Sequence, residues 1–242
     1  MVFERIQQAL FFWWKNLLPL FLVTVPFALL SSTAELLNGP IFVVEGETFK
    51  AINSGTAVMV LLLQIAAEAA LICQLASLAN GRQRSLLDCF LFALYVFFPL
   101  ALTMMLMSLP MAASLLFAAA AAPALMLFFV APGVWIYLRL ALAPFYVALE
   151  RLSPVAALQK SFHLTGPNQW PLLLSWLIAM IMMLIMAATL QGAVNQLAGD
   201  HGGGLIVISV AQKLLGALVT IVLFQAYRGV APPTSPRPDT RE

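Results

Sequence analysis

From Cys89 to Leu138 the chain carries no Asp, Glu, Lys or Arg. As one α-helix that run would extend about 75 Å, against a bilayer hydrocarbon core of about 30 Å, so it must fold back at least once. Other long apolar runs are Leu17–Leu37, Ala57–Ala79, Pro171–Leu190 and Leu205–Tyr227. Backbone groups in hydrocarbon have no water to bond, which leaves helices or a closed barrel. No sustained alternation of period two appears, so the runs read as helices and the fold class as an all-α membrane protein. Composition points the same way. Hydrophobic residues make up 62% of the chain and charged residues 9%. Ten acids and twelve bases are too few to cover a water-soluble surface of this size. Mean hydropathy is +0.97. A formal net charge of +2 is too small for a nucleic-acid footprint. The two cysteines, Cys73 and Cys89, sit in apolar surroundings and form neither a disulfide framework nor a metal-ligand spacing.

The first apolar run invites comparison with a secretory leader, since Lys15 precedes it and the small residues Ser32, Thr33 and Ala34 follow. The segment before it is itself aromatic and amphipathic, unlike a short basic leader, and the rest of the chain spans repeatedly. The simpler reading is a first span that stays.

Aligning prolines exposes an internal pattern. Pro19, Pro99 and Pro171 each open an apolar span, and each follows a short segment that starts polar and ends aromatic or apolar. Asn16 and Asn168 both stand three residues before their proline. The expected architecture is about six transmembrane helices in three hairpins, each preceded by a cytoplasmic interfacial amphipathic helix. Residues 1–229 then form one polytopic domain, with pseudo-repeats of about 1–80, 81–150 and 151–229. Residues 230–242, rich in proline and mixed charge, read as a disordered cytoplasmic tail. In the third unit Ser153 suits an N-cap, Pro154 the first helical position, and Gly166 and Pro167 the stop. Val155, Leu158 and Phe162 share one face, with Gln159, Lys160 and His163 on another. In the first unit Phe3, Ile6, Leu10, Trp13 and Leu17 form one stripe, and Trp13 and Trp14 suit a membrane interface.

Basic residues orient the chain. Arg5, Lys15, Arg82, Arg84, Arg151, Lys160, Arg228, Arg237 and Arg241 fall on one side of a six-span arrangement, and only Lys50 falls in a loop on the other. The positive-inside rule puts both termini in the cytoplasm. The third span is expected at about 98–120 and the fourth to start before Pro132. A seven-span alternative would strand Arg228, Arg237 and Arg241 outside.

The stretch PGVWIYLRLALAPFYVALERLSPVAALQKSFHLTGPNQWPLLLSW resembles the YciC-like family of bacterial inner-membrane proteins. The matching features are Pro132, Gly133, Leu140–Pro144, Glu150, Arg151, Trp170, Ser175 and Trp176. CQLASLANGRQ at 73–83 and LFQAYR at 223–228 are similar to the family's second and last span ends. The resemblance implies a multi-pass inner-membrane protein with no established biochemical activity, and it carries no catalytic residue over. Arg139 and Glu68 depart from it, because the family pattern is apolar there, and residues 100–131 look longer here.

Those departures are the chemistry of the sequence. Arg139 and Lys213 are bases expected at depth, and Glu68 and Glu35 are acids on the first two spans. A lone charge at the bilayer centre costs about 2.5–3.5 kcal/mol on insertion scales, so such residues turn inward and pair. The expected pair is Arg139 with Glu68, Glu35 second, and Lys213 competing; Gln64, Gln74, Gln212 and Gln225 would extend the network. The structural alternative is that these charges only lock helices together or snorkel outward. Asp200-His201-Gly202-Gly203-Gly204 reads as a flexible outer loop, since an oxyanion loop would need a Gly-x-Ser-x-Gly elbow that the chain lacks. The methionines, including Met104, Met105, Met107, Met180, Met182 and Met183, read as packing more readily than as soft-metal ligands. No enzyme and no cofactor is expected. The expected partners are membrane lipids or another envelope protein; the alternative function is a small transporter or lipid-translocating protein built on Glu68, Arg139, Lys213 and Glu35.

Overall fold

Asparagine and proline fix where the helices begin. The computed structural model describes residues 2–39, 42–45, 48–51, 53–81, 84–120, 125–166, 169–198 and 202–230. Helix α1 covers Val2–Lys15 and α2 covers Leu17–Asn38. Asn16 joins them: its backbone N–H and side-chain amide both donate to Phe12 O, at 3.1 and 2.8 Å, and Leu20 N–H closes onto Asn16 O at 3.1 Å. Pro19 is third in α2, where its missing N–H deprives the helix of no internal bond. Pro171 stands third in α8 (Gln169–Ala198).

The connection after α2 holds a feature the sequence reading did not anticipate. Strands β1 (Phe42–Glu45) and β2 (Thr48–Ala51) pair antiparallel with Phe42 opposite Ala51. Asn53 ties the neck of this hairpin: its amide donates to Asn38 O at 2.6 Å and its carbonyl oxygen caps Thr56 N at 3.1 Å. Helix α3 (Ser54–Ala79) starts there. Helix α4 (Leu86–Ala120) opens with a reciprocal capping box, Asp88 N on Ser85 Oγ and Ser85 N on Asp88 Oδ2. It is continuous, so in this hairpin the leading segment and the expected span of 98–120 form one rod through Pro99 and Pro110. Cys89, Ala93, Val96, Leu100, Thr103 and Met107 are its buried stripe, while Leu91, Leu94, Phe98, Leu102, Met105 and Leu109 are exposed. An outward apolar stripe of this kind suits hydrocarbon.

Helix α5 spans Met126–Leu140 and α6 spans Ala143–Glu150. They form one crossing with a kink at Ala141–Leu142, because Pro144 lacks the N–H that would bond Leu140 O. The fourth crossing starts before Pro132, as expected, so Pro132 and Gly133 lie inside α5. Gly133 is buried against α4: a Cβ there would meet Ser114 Oγ at 2.5 Å, Ser114 Cβ at 2.6 Å and Pro110 O at 3.2 Å. The glycine is therefore a helix-packing residue, and the small–small contact lets two backbones approach. Helix α7 (Pro154–Thr165) starts at Ser153 as expected, although the serine hydroxyl makes no capping bond. Helix α9 (Gly202–Val230) includes the three glycines 202–204 expected in a loop. Arg82, Pro123, Pro167, Asn168, Asp200, His201, and the 231–242 tail with Arg237 and Arg241 lie outside the described residues.

Among the described residues six helical crossings are long and apolar enough to span a membrane: α2, α3, α4, α5 with α6, α8 and α9. They form three hairpins, α2/α3, α4/α5–α6 and α8/α9. The second member of each hairpin turns to the middle. One core joins Leu71, Ile72 and Leu75 of α3, Phe145 and Tyr146 of α6, and Leu218, Ile221 and Phe224 of α9. The short helices lean on a neighbouring hairpin, α1 on α8 and α9, α7 on α4, α5 and α6. Helix α7 does so through Ala157, Ser161 and Thr165, which are buried, while Val155 is exposed. Helix α1 buries Ile6, Ala9 and Trp13 and leaves Phe3 exposed. The two tryptophans divide: Trp14 is exposed, whereas Trp13 is buried and its Nε1–H donates to Leu214 O at 3.0 Å. Hydroxyls inside the spans bond their own helix one turn back, as in Thr24 to Leu20 O at 2.9 Å, Ser32 to Ala28 O at 2.9 Å and Thr103 to Pro99 O at 2.7 Å. That hides their polarity from lipid.

The α4–α5 contact gives a direct test. Gly133→Ala is expected to destabilise the protein by about 1–3 kcal/mol through overpacking. Ser114→Gly in the same chain is expected to recover part of the loss, read from thermal unfolding in detergent.

Candidate functional site

Above the three-helix core the hairpins splay around a partly open cavity of about 740 Å³. Its polar side is built by helical spacing. On α3, Gln64 and Glu68 are one turn apart, and on α9 Lys213 and Thr220 are two turns apart, so each pair shares a face. The faces meet. Thr220 Oγ1–H donates to Glu68 Oε1 at 3.0 Å, and Lys213 Nζ donates to Gln64 Oε1. Glu35 joins from α2, where Ser31 and Ser32 also line the space. Both carboxylates, Glu68 and Glu35, lie within electrostatic reach of Lys213. Ser31 Oγ is buried without a hydrogen-bond partner. The opposite wall is apolar and soft: Met104, Met107, Met180, Met183 and Trp176. Tyr137, Ala141 and Phe145 complete it from α5 and α6 at four-residue spacing.

Three of the four expected site residues, Glu68, Lys213 and Glu35, therefore come together, and Arg139 does not join them. Arg139 lies two residues beyond Tyr137, about 200° round the helix, and so faces away from the cavity. Its Nε–H donates to Gln169 Oε1 at 3.0 Å. Its guanidinium lies against two rings set edge to face, Trp135 and Phe162, 4.3 and 4.5 Å from their centroids. Ser161 Oγ–H donates to Arg139 O at 2.7 Å. The expected Arg139–Glu68 pair is corrected: Trp135 of α5 itself, Phe162 of α7 and the amide of Gln169 at the start of α8 meet the guanidinium in place of a carboxylate. Cation–π contact and one charge-assisted bond suffice for a half-buried guanidinium. The expected glutamine network also divides. Gln64 and Gln212 line the cavity. Gln74 accepts from Cys89 Sγ at 3.2 Å. Gln225, with its amide oriented to satisfy both neighbours, donates to Arg5 O at 2.9 Å and accepts from Ala9 N at 3.1 Å, which pins α1 to α9.

Sequence reasoning missed Thr220, Ser31 and Tyr137. The signal was present in the spacing: Thr220 lies seven after Lys213, Ser31 four before Glu35, and Tyr137 eight before Phe145.

A second cavity, about 410 Å³, lies at the other end of the core, where α3, α6 and α9 end. Arg84, Arg151, Arg228, Glu150, Asn80 and Tyr227 are among its lining residues. Glu150 accepts from Lys160 Nζ in an ion pair and from Tyr227 Oη at 3.2 Å. Between the two cavities stands an aromatic layer. Phe145 lines the first, Phe224 and Tyr227 line the second, and their centroids are 5.6–6.3 Å apart.

No family model matches the chain, and no solved structure matches it.

The position of Arg139 is tested by coupling. A double-mutant cycle of Arg139→Ala with Phe162→Ala is expected to show an interaction of about 0.5–2 kcal/mol. The cycle of Arg139→Ala with Glu68→Gln is expected to be additive within about 0.5 kcal/mol.

Proposed function

We propose that the protein is a lipid-associated factor of the bacterial inner membrane, and that its larger cavity takes an amphipathic molecule. The cavity's two-sided lining carries this reading. An ammonium, two carboxylates and an unpartnered hydroxyl stand on one side, with flexible thioethers and an indole on the other. A dipolar headgroup has both signs of partner there, and methionine walls adapt to acyl chains of different shape. Charges held inside a span mark functional sites by default, because insertion of each is unfavourable. The similarity of the central stretch to the YciC-like family supports the same localisation. Arg5, Lys15, Arg84, Arg151, Lys160 and Arg228 favour a cytoplasmic position for both termini.

A second reading is favoured by one observation. The cavities lie back to back with a single aromatic layer between them, an arrangement suited to alternating access in a small transporter or lipid translocator. On that reading Phe145, Phe224 and Tyr227 are the barrier.

Native mass spectrometry of the protein purified from membranes tests the first reading. A co-purifying lipid is expected, and Glu68→Gln with Lys213→Gln is expected to reduce its occupancy about tenfold while the melting temperature stays within a few degrees. Equal occupancy in the variant would remove the cavity from the proposal. For the second reading, Phe224→Ala is expected to raise lipid or solute flux in proteoliposomes, and unchanged flux counts against a barrier.

A further inference from the structure

The smaller cavity gathers more positive charge than its lining neutralises. Arg84, Arg151 and Arg228 come from three different parts of the chain and line one space. Three helix C-termini also end there, and each presents about half a negative charge through its last carbonyls. Those carbonyls account for part of the three guanidinium charges and no more. The one carboxylate in the lining, Glu150, is already neutralised by Lys160 and bonded by Tyr227. Between one and two positive charges are left over.

The guanidiniums also have donors to spare. Arg84 Nη1–H reaches Cys73 Sγ at 3.7 Å, a weak acceptor. Arg151 stands 5.2 Å over the ring of Tyr95, a contact that leaves its N–H groups available. Among the described residues, none of the three pairs with a carboxylate. Arg151 further holds a left-handed backbone, φ 55°, at the end of α6. A glycine would end the helix there with less strain. An arginine kept in that conformation places a charge at the cavity at a backbone cost.

We propose that this cavity binds a phosphate-type anion, carried by the headgroup of an anionic lipid or free in solution. Guanidinium groups match phosphate oxygens in paired, charge-assisted hydrogen bonds, and a group bearing one to two negative charges balances the excess. Asn80, also in the lining, adds an amide donor. The site is separate from the larger cavity and does not depend on what occupies it.

The purified full-length protein is titrated with phosphatidylglycerol or phosphatidylcholine and read by native mass spectrometry. In parallel its melting temperature is followed with inorganic phosphate at matched ionic strength. Phosphatidylglycerol is expected to bind at least about tenfold more tightly than phosphatidylcholine, and Arg151→Gly with Arg228→Gln to abolish that preference. Stabilisation by inorganic phosphate that the same variant loses assigns the site to a free anion. Lipid preference without a phosphate effect assigns it to a headgroup. If neither probe is preferred, or the double variant keeps the preference, the proposal is overturned. Should the double variant fail to fold, Arg228→Gln alone replaces it: this exposed side chain lies in the last turn of α9, and its loss is expected to cut the preference about threefold. An unchanged preference in that folded variant also overturns the proposal.

Discussion

A bilayer offers no hydrogen-bond partners, so every polar group carried into it must find one inside the chain. The structure follows from how this chain meets that demand. Backbone groups are satisfied by helix. Most span hydroxyls bond the carbonyl one turn back. The remaining side chains, two carboxylates, an ammonium, a guanidinium and several amides, require neighbours from other helices, and their placement sets how the hairpins pack.

The three second helices meet along one end of the bundle because their facing residues are apolar and close-packing there. Leu71, Ile72 and Leu75 fit against Phe145 and Ile221. Toward the β1–β2 end the facing residues become Gln64, Glu68, Lys213 and Thr220, and the helices part around a cavity. Polar groups thus line the space where packing is loose, and aromatic rings fill it where packing is tight. The short helices repeat the theme. Trp13 lends its N–H to Leu214 O in mid-span, α7 supplies Arg139 with the ring of Phe162 and the hydroxyl of Ser161, and Gln169 of α8 adds an amide. Each ties one hairpin to the next.

Much of this was legible in the sequence. Span number, the pairing of spans into hairpins and the start of α7 at Ser153 follow from uncharged length, proline position and capping residues, all local signals. The gathering of Glu35, Glu68 and Lys213 around one space was also legible, since depth draws charged groups toward the interior. The partner of Arg139 was not. Its rotation relative to Tyr137 was available from the helical repeat, but nothing local says that α7 folds back to lie beside α5. The packing role of Gly133 was hidden for a related reason: only its contact with Ser114 on α4 reveals it. The β1–β2 hairpin did carry a signal, the two-residue Gly46-Glu47 link between short β-prone runs.

The central claim is that Glu68 meets α9 rather than Arg139 inside the bundle. Cysteine crosslinking in a chain free of Cys73 and Cys89 tests it most directly. With a short bifunctional thiol reagent, Glu68→Cys is expected to crosslink to Thr220→Cys in native membranes and to leave Arg139→Cys unlinked. Efficient linkage of positions 68 and 139, with none between 68 and 220, would contradict the account.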